Sequence, residues 1–125
     1  MGTRSTIGVV LWDNTIESIY CHWDGYPNGV GAMLAEHYTC PAKIDALLAL
    51  GDISTLEPEI GEQHDFDNPT DGWTLAYGRD RGDEDITQDT HASIAKWKTR
   101  RRLNGCEFGY LWNGSTWETF NLHGA

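Results

Sequence analysis

The feature that most constrains this chain is Asn113-Gly114, set between two runs rich in aromatic and β-branched residues, Cys106 to Trp112 and Thr116 to Leu122. Asn-Gly tolerates the positive φ of a tight turn, so the pair predicts an antiparallel hairpin. A two-residue turn places Tyr110 opposite Trp117, with Phe108 and Trp112 on the same face. That aromatic face is read as core.

A second hairpin is predicted at the other end of the chain. Ser5 to Trp12 alternates, with Ile7, Val9 and Leu11 on one side, and Thr15 to Trp23 returns after Asp13-Asn14. Pairing about that turn sets Leu11 opposite Ile16 and Ile7 opposite Tyr20.

Between the hairpins, Asp24 to Gly31 reads as a Gly-rich turn region. Met33, Leu34 and His37 recur at helical spacing over Ala32 to Tyr38. Thr39 is a candidate N-cap, Pro41 fits a first turn, and Ala42 to Leu50 reads as a second helix ended by Gly51. A long acidic loop spans Asp52 to Gly72. Trp73 to Gly78 reads as a strand, Asp83 to Thr90 as irregular, and His91 to Arg102 as a helix burying Ile94 and Trp97. The expectation is one α+β domain over residues 1–125. Its antiparallel sheet is built from the two hairpins plus a middle strand, with two or three helices packed on one face.

Charge narrows the function classes. The net charge is -10, which argues against direct binding to DNA. Eight carboxylates and no Lys or Arg lie between Asp45 and Asp71, whereas five of the seven residues from Lys96 to Arg102 are basic. A carboxylate tract of that size can imitate a phosphate backbone and dock on a nucleic-acid-binding protein. The candidate partner-binding residues are Glu57, Glu59, Glu62, Asp65, Asp67 and Asp71; a solvated loop is the plainer alternative. The basic segment can neutralise this loop, either within one chain or in a homodimer.

Three cysteines, Cys21, Cys40 and Cys106, form no CxxC pair, and no apolar stretch reaches the roughly 18 residues of a membrane span. The N-terminus runs into a strand pattern without a signal peptide, so a cytoplasmic protein with reduced thiols is expected.

Chemistry-bearing residues concentrate in Cys21-His22-Trp23-Asp24-Gly25-Tyr26-Pro27. His22, Asp24, His37 and His64 lack zinc-site spacing, so no metal and no cofactor is expected. Cys21 and His22 are strand neighbours and point to opposite faces, which disfavours a Cys–His pair. No catalytic set is assigned; one would draw on His22, Asp24 and Asp80, with Glu36 nearby as a further carboxylate. Gly29-x-Gly31 is read as a tight turn. One constellation joins anion binding to aromatic stacking: Arg4, Arg79 and Arg81 at strand ends, with His22, Trp23, Asp24 and Tyr26. It would suit a nucleotide; internal salt bridges to Asp24, Asp80 and Asp83 are the alternative.

These stretches resemble a family of small proteins encoded by phages, prophages and other mobile elements. The matching segments are Met1-Gly2-Thr3-Arg4-Ser5-Thr6-Ile7, Ile19 to Pro27, His37-Tyr38, Leu50-Gly51-Asp52-Ile53-Ser54 and Tyr77-Gly78-Arg79-Asp80-Arg81-Gly82. The likeness covers roughly residues 1 to 82; the last third departs from it. The resemblance implies an accessory protein that counters host defence by binding an effector or capturing a signalling nucleotide. The leading expectation is therefore an anti-CRISPR-like inhibitor in the host cytoplasm. Its acidic surface would dock on a host defence protein that handles nucleic acid. A nucleotide binder or sponge is the alternative, and a small hydrolase or transferase using His22 and Asp24 is a third.

Overall fold

A computed structural model describes residues 2–123; Met1, the first residue of the N-terminal motif, lies outside them. In chain order the elements are β1 (Ser5–Val10), β2 (Ile16–Cys21), a π-helical turn (Pro27–Gly31) leading into α1 (Ala32–His37), and α2 (Pro41–Ala49). They continue with β3 (Ile53–Thr55), β4 (Leu75–Ala76), α3 (Tyr77–Arg81), β5 (Asp89–His91), α4 (Ile94–Leu103), β6 (Phe108–Trp112) and β7 (Trp117–Asn121). The fold is α+β. One sheet runs β4-β3-β2-β1-β6-β7, and β5 also pairs with β2.

Both hairpins form, with registers that differ from expectation. In the first, Leu11 N donates to Thr15 O at 2.8 Å, Asn14 N donates to Leu11 O at 2.9 Å, and Asn14 takes φ 66°. The loop is thus a three-residue turn closed by a left-handed Asn, not the two-residue Asp13-Asn14 turn. Ile7 consequently faces Ile19, and Val10 faces Ile16, a shift of one residue. A one-residue shift moves partner side chains to the opposite face. Ile19 therefore joins Ile7 in the larger core, while Ile16 lies in the smaller one.

In the second hairpin, Asn113 and Thr116 flank Gly114-Ser115, with Asn113 N donating to Thr116 O at 3.2 Å. Gly114 adopts φ 101°, and Asn113 Oδ1 accepts the Ser115 and Thr116 amides, both at 2.9 Å. Trp112 therefore faces Trp117, and Tyr110 faces Thr119 rather than Trp117. This shift is even, so the expected aromatic face survives: Tyr110 and Trp112 are buried, and Phe108 packs against them.

The two hairpins join through β1 and β6, which run parallel, as do β2 and β3. The sheet is mixed rather than wholly antiparallel. The connection between the hairpins is long enough to return β6 in the direction of β1.

α1 and α2 share one face. Leu34, Tyr38, Ile44, Leu47 and Leu48 bury against Ile7, Ile19, Cys21 and Tyr110. The helix start at Pro27 replaces the expected open turn over 27–31, since proline suits a first helical position. Cys40, not Thr39, caps α2.

α4 lies across the opposite face. Trp97 is fully buried with Ile16 and Leu111, and its Nε1 donates to Thr6 Oγ1 at 3.2 Å. Gly8 and Gly109 let the indole lie on the sheet: a Cβ at either would sit 3.3 Å or less from it. Ile94, expected inside, is 41% exposed. Arg101, one turn beyond Trp97, is the second inward residue. Its Nε donates to Ser18 Oγ at 3.1 Å and its Nη2 to Ser18 O at 3.2 Å.

Two further corrections bear on the site. The acidic segment opens with β3, so the loop proper begins after Thr55. The expected strand over Trp73 to Gly78 shrinks to β4, because Tyr77–Arg81 winds into α3 while the Asp80 carboxylate accepts the Ala76 amide at 2.8 Å. Among the described residues no helix is long and apolar enough to cross a membrane.

Candidate functional site

The acidic loop runs from β3 to β4 and is held from beneath. Arg79 Nη1 donates to Ile60 O at 2.9 Å and to Gly61 O at 3.3 Å, and Nη2 donates to Thr74 O at 2.7 Å. The same guanidinium grips Asp80 in two bonds, Nε to Oδ1 at 2.9 Å and Nη2 to Oδ2 at 3.1 Å. The Asp80 side chain is fully buried and also accepts the His64 amide at 3.1 Å. Its burial raises the cost of the charge, but the bonds from Arg79, Ala76 and His64 together hold the carboxyl below the ordinary aspartate range.

His64 completes this clasp. Its Nδ1 accepts the Thr70 amide at 2.8 Å, so the ring proton sits on Nε2 and points to Thr74 O at 3.1 Å. Further along the loop, Tyr38 Oη donates to Glu57 O at 2.7 Å and Lys43 Nζ donates to Pro58 O at 2.7 Å. Glu59 bridges to Trp73, with Thr74 N donating to Glu59 O at 2.8 Å. These bonds tie the loop backbone at Glu57, Pro58, Glu59, Ile60, Gly61 and Thr74.

Its carboxylates face outward. Glu59, Glu62, Asp65, Asp67 and Asp71 are exposed and Glu57 is half-buried. None of the six forms an ion pair among the described residues. Burial pushes the Glu57 carboxyl up, and the negative charges of Asp71 and Asp24 push it further. Asp71 and Asp24 are thus felt at Glu57, which links the loop to the Cys21–Pro27 segment.

That link is a groove. Asp24, Tyr26, Met33, Glu36, Leu56 and Glu57 are among the residues lining a cavity of about 290 Å³ beside the loop. Three carboxylates and one half-exposed tyrosine ring suit a cationic side chain, which gains from both charge and ring face.

The rest of the Cys21–Pro27 segment is mainly architectural. Cys21 is buried, its Sγ turned toward Trp23 O at 3.5 Å, and burial pushes its thiol up to about 12. Such a thiol is neutral and unreactive. Gly25 N donates to Thr3 O at 2.8 Å and Gly25 O accepts Tyr110 Oη at 2.6 Å; a Cβ there would lie 2.6 Å from Thr3 O. Glycine is required by that close approach. Among the described residues no three His, Cys, Asp or Glu side chains come together as a metal site would need.

The arginine and aromatic constellation is dispersed. Arg4 and His22 line one cleft of about 440 Å³ together with Gly2, Gly105 and Glu107. His22 Nδ1 lies 2.7 Å from Tyr20 Oη, and its ring meets Trp23 edge-on at 4.8 Å. Asp24 and Tyr26 belong to the acidic groove instead. Arg79 is consumed by the loop. Arg81 pairs with Asp83 at 2.6 Å and stacks over Phe66 and Tyr77. The internal salt-bridge alternative thus holds for Arg79 and Arg81. His22 lines the Arg4 cleft and Asp24 the acidic groove, while the Asp80 side chain is fully buried under the loop.

Glu36 as a groove wall and Glu107 in the Arg4 cleft were not among the expected binding residues. In the sequence Glu36 reads only as an acid–base carboxylate, and its position beside His37 is its one visible signal. Comparisons with protein-family models, with curated proteins and with solved structures find no match to this chain.

Proposed function

We propose that this chain is a non-catalytic binding protein, of the kind carried by mobile elements, that inhibits a host defence system. Its acidic loop and the adjoining groove would dock on the basic surface of a nucleic-acid-handling protein, with an Arg or Lys of the partner entering between Asp24, Glu36, Glu57 and Tyr26. One observation carries this reading: on the loop tied down by the Arg79–Asp80 clasp, five carboxylates are exposed, Glu57 is half-buried, and none of the six forms an ion pair among the described residues. Preorganised charge speeds encounter and selects partners of opposite sign.

The test is capture of partners from a host lysate with mass spectrometry, followed by affinity measurement. The comparison protein carries Glu59, Glu62, Asp65 and Asp67 changed to Lys. Abolished binding and a steep fall of affinity with salt are expected. Unchanged affinity would overturn the proposal.

A second reading rests on Arg4, whose carbonyl accepts the Glu107 amide at 2.8 Å while its guanidinium makes no hydrogen bond or ion pair among the described residues and stands beside His22 in its cleft. That geometry suits one phosphate of a nucleotide. Titration calorimetry against cyclic dinucleotides and ADP-ribose derivatives tests it; no heat with any of them counts against it.

A further inference from the structure

A cavity of about 560 Å³ lies away from the acidic loop, between β5 and α4. Its lining includes Asp89, His91, Ala95, Lys96, Arg100 and Leu103. His91 is 7% exposed, and its Nε2 lies 2.8 Å from the buried Ser18 Oγ.

Ser18 Oγ accepts from Arg101 Nε and keeps its own proton to donate, which His91 Nε2 at 2.8 Å can accept. With Nε2 as acceptor, the neutral imidazole carries its proton on Nδ1. Burial and the positive charge of Arg101 both keep the ring neutral; Asp89 opposes them and Arg100 adds to them. No group among the described residues accepts from Nδ1.

The cavity rim carries two cations, Lys96 and Arg100, and one carboxylate, Asp89. Lys96 and Arg100 are exposed and form no ion pair among the described residues. The Asp89 carboxylate is turned to Arg101, 3.4 Å away. Ala92, Ala95 and Leu103 add apolar wall, and Leu103 is 75% exposed.

We infer that this cavity binds a small organic oxyanion, a carboxylate or phosphate carried on an apolar body. The oxyanion would accept from His91 Nδ1 and lie between Lys96 and Arg100, with the apolar body against Ala95 and Leu103. Directed N–H donation and two cations match an oxyanion, and the alanine and leucine surface has no use for a bare ion.

Nuclear magnetic resonance tests this with benzoate, phenyl phosphate, inorganic phosphate and benzyl alcohol as probes. In the free protein, the ¹⁵N spectrum of His91 is expected to show the Nδ1–H tautomer. Benzoate or phenyl phosphate should shift the His91 ring and the Ala95 methyl in a saturable way, with a dissociation constant below about 1 mM. The exposed double variant Lys96→Gln/Arg100→Gln cannot disturb the core and should weaken binding about tenfold or more. His91→Phe, which keeps a ring without its donor, should do the same. Four results would overturn the inference: an Nε2–H tautomer, no saturable shift with either organic oxyanion, equal binding by benzyl alcohol or inorganic phosphate, or unchanged affinity in the double variant.

Discussion

Arg79 and Asp80, neighbours in sequence, form the buried clasp on which the acidic surface is built. Two hydrogen bonds at 2.9 and 3.1 Å join them, and the remaining donors of the guanidinium reach the carbonyls of Ile60, Gly61 and Thr74. A pair adjacent in the chain thereby spans the two ends of the loop. The positive charge of Arg79 goes to backbone carbonyls and Asp80, and the exposed loop carboxylates form no ion pair among the described residues.

Arg79→Ala would strand the fully buried Asp80 carboxylate. Removing one partner of a buried pair costs about 3 kcal/mol, and the loss should appear as a lower urea midpoint. Partner affinity should fall as well, because the loop would lose its fixed shape. Full stability in Arg79→Ala would show that the clasp is incidental.

The same pair sets a pH dependence. The folded-state Asp80 carboxyl titrates below the ordinary value of 3.8, so its contribution is present above 3.8 and is lost as pH falls through the lower folded value. Stability measured from neutral pH into the acid range should drop below that point. Asp80→Asn should be less stable at neutral pH and show a shallower acid decline. Parallel curves for the two proteins would refute the assignment.

Trp97 docks α4 by lying on Gly8 and Gly109, with its Nε1 on Thr6. Trp97→Ala should cost about 4 kcal/mol through lost burial and the cavity left behind. Gly109→Val should also destabilise, since even a Cβ there would lie 3.0 Å from the indole. Guanidinium unfolding of both variants provides the check. A wild-type midpoint for Gly109→Val would mean that the helix does not pack as described.

How much could be read in advance differs by level. Asn113-Gly114 and Asp13-Asn14 announced both hairpins, because turn chemistry is local. The registers escaped, because Asn14 and Gly114 can each take positive φ in more than one turn, and the choice rests on which faces are covered. Arg101 escaped for a longer-range reason: the Ser18 that satisfies it is 83 residues away, and a basic run reads as a solvated face. The charge of the loop was legible residue by residue. Its clasp was not, since Arg79-Asp80 looks like any surface pair until the carbonyls of a distant loop close over it. The Cys21–Pro27 segment divides: Cys21 and Gly25 serve packing, whereas Asp24 and Tyr26 line the acidic groove and His22 lines the Arg4 cleft.

The thiols separate by burial. Cys21 and Cys106 are buried and pushed up to about 12 and about 11, whereas Cys40 is exposed, and none is in a disulfide. A soluble aromatic disulfide reagent should titrate Cys40 quickly in the folded protein and the other two upon unfolding. Rapid labelling of Cys21 in the native state would show that β2 opens or that the thiol has an activating partner.

Glu57 offers the sharpest separation of function from stability. Its carboxyl is raised by burial, and then by Asp71 and Asp24, so its charge works against folding at neutral pH. A carboxyl whose folded value is raised costs stability above that value, and the cost is relieved as pH falls through it. Glu57→Gln removes the charge while keeping the shape, so its urea midpoint should rise at neutral pH and converge on the wild type in acid. The same variant should bind the partner more weakly, because the groove loses one of the three carboxylates facing the incoming cation. A charge that served only the fold would give the opposite stability result, and one that served solubility alone would leave affinity unchanged. A more stable protein that binds less well is the outcome expected of a site held under electrostatic strain for a partner.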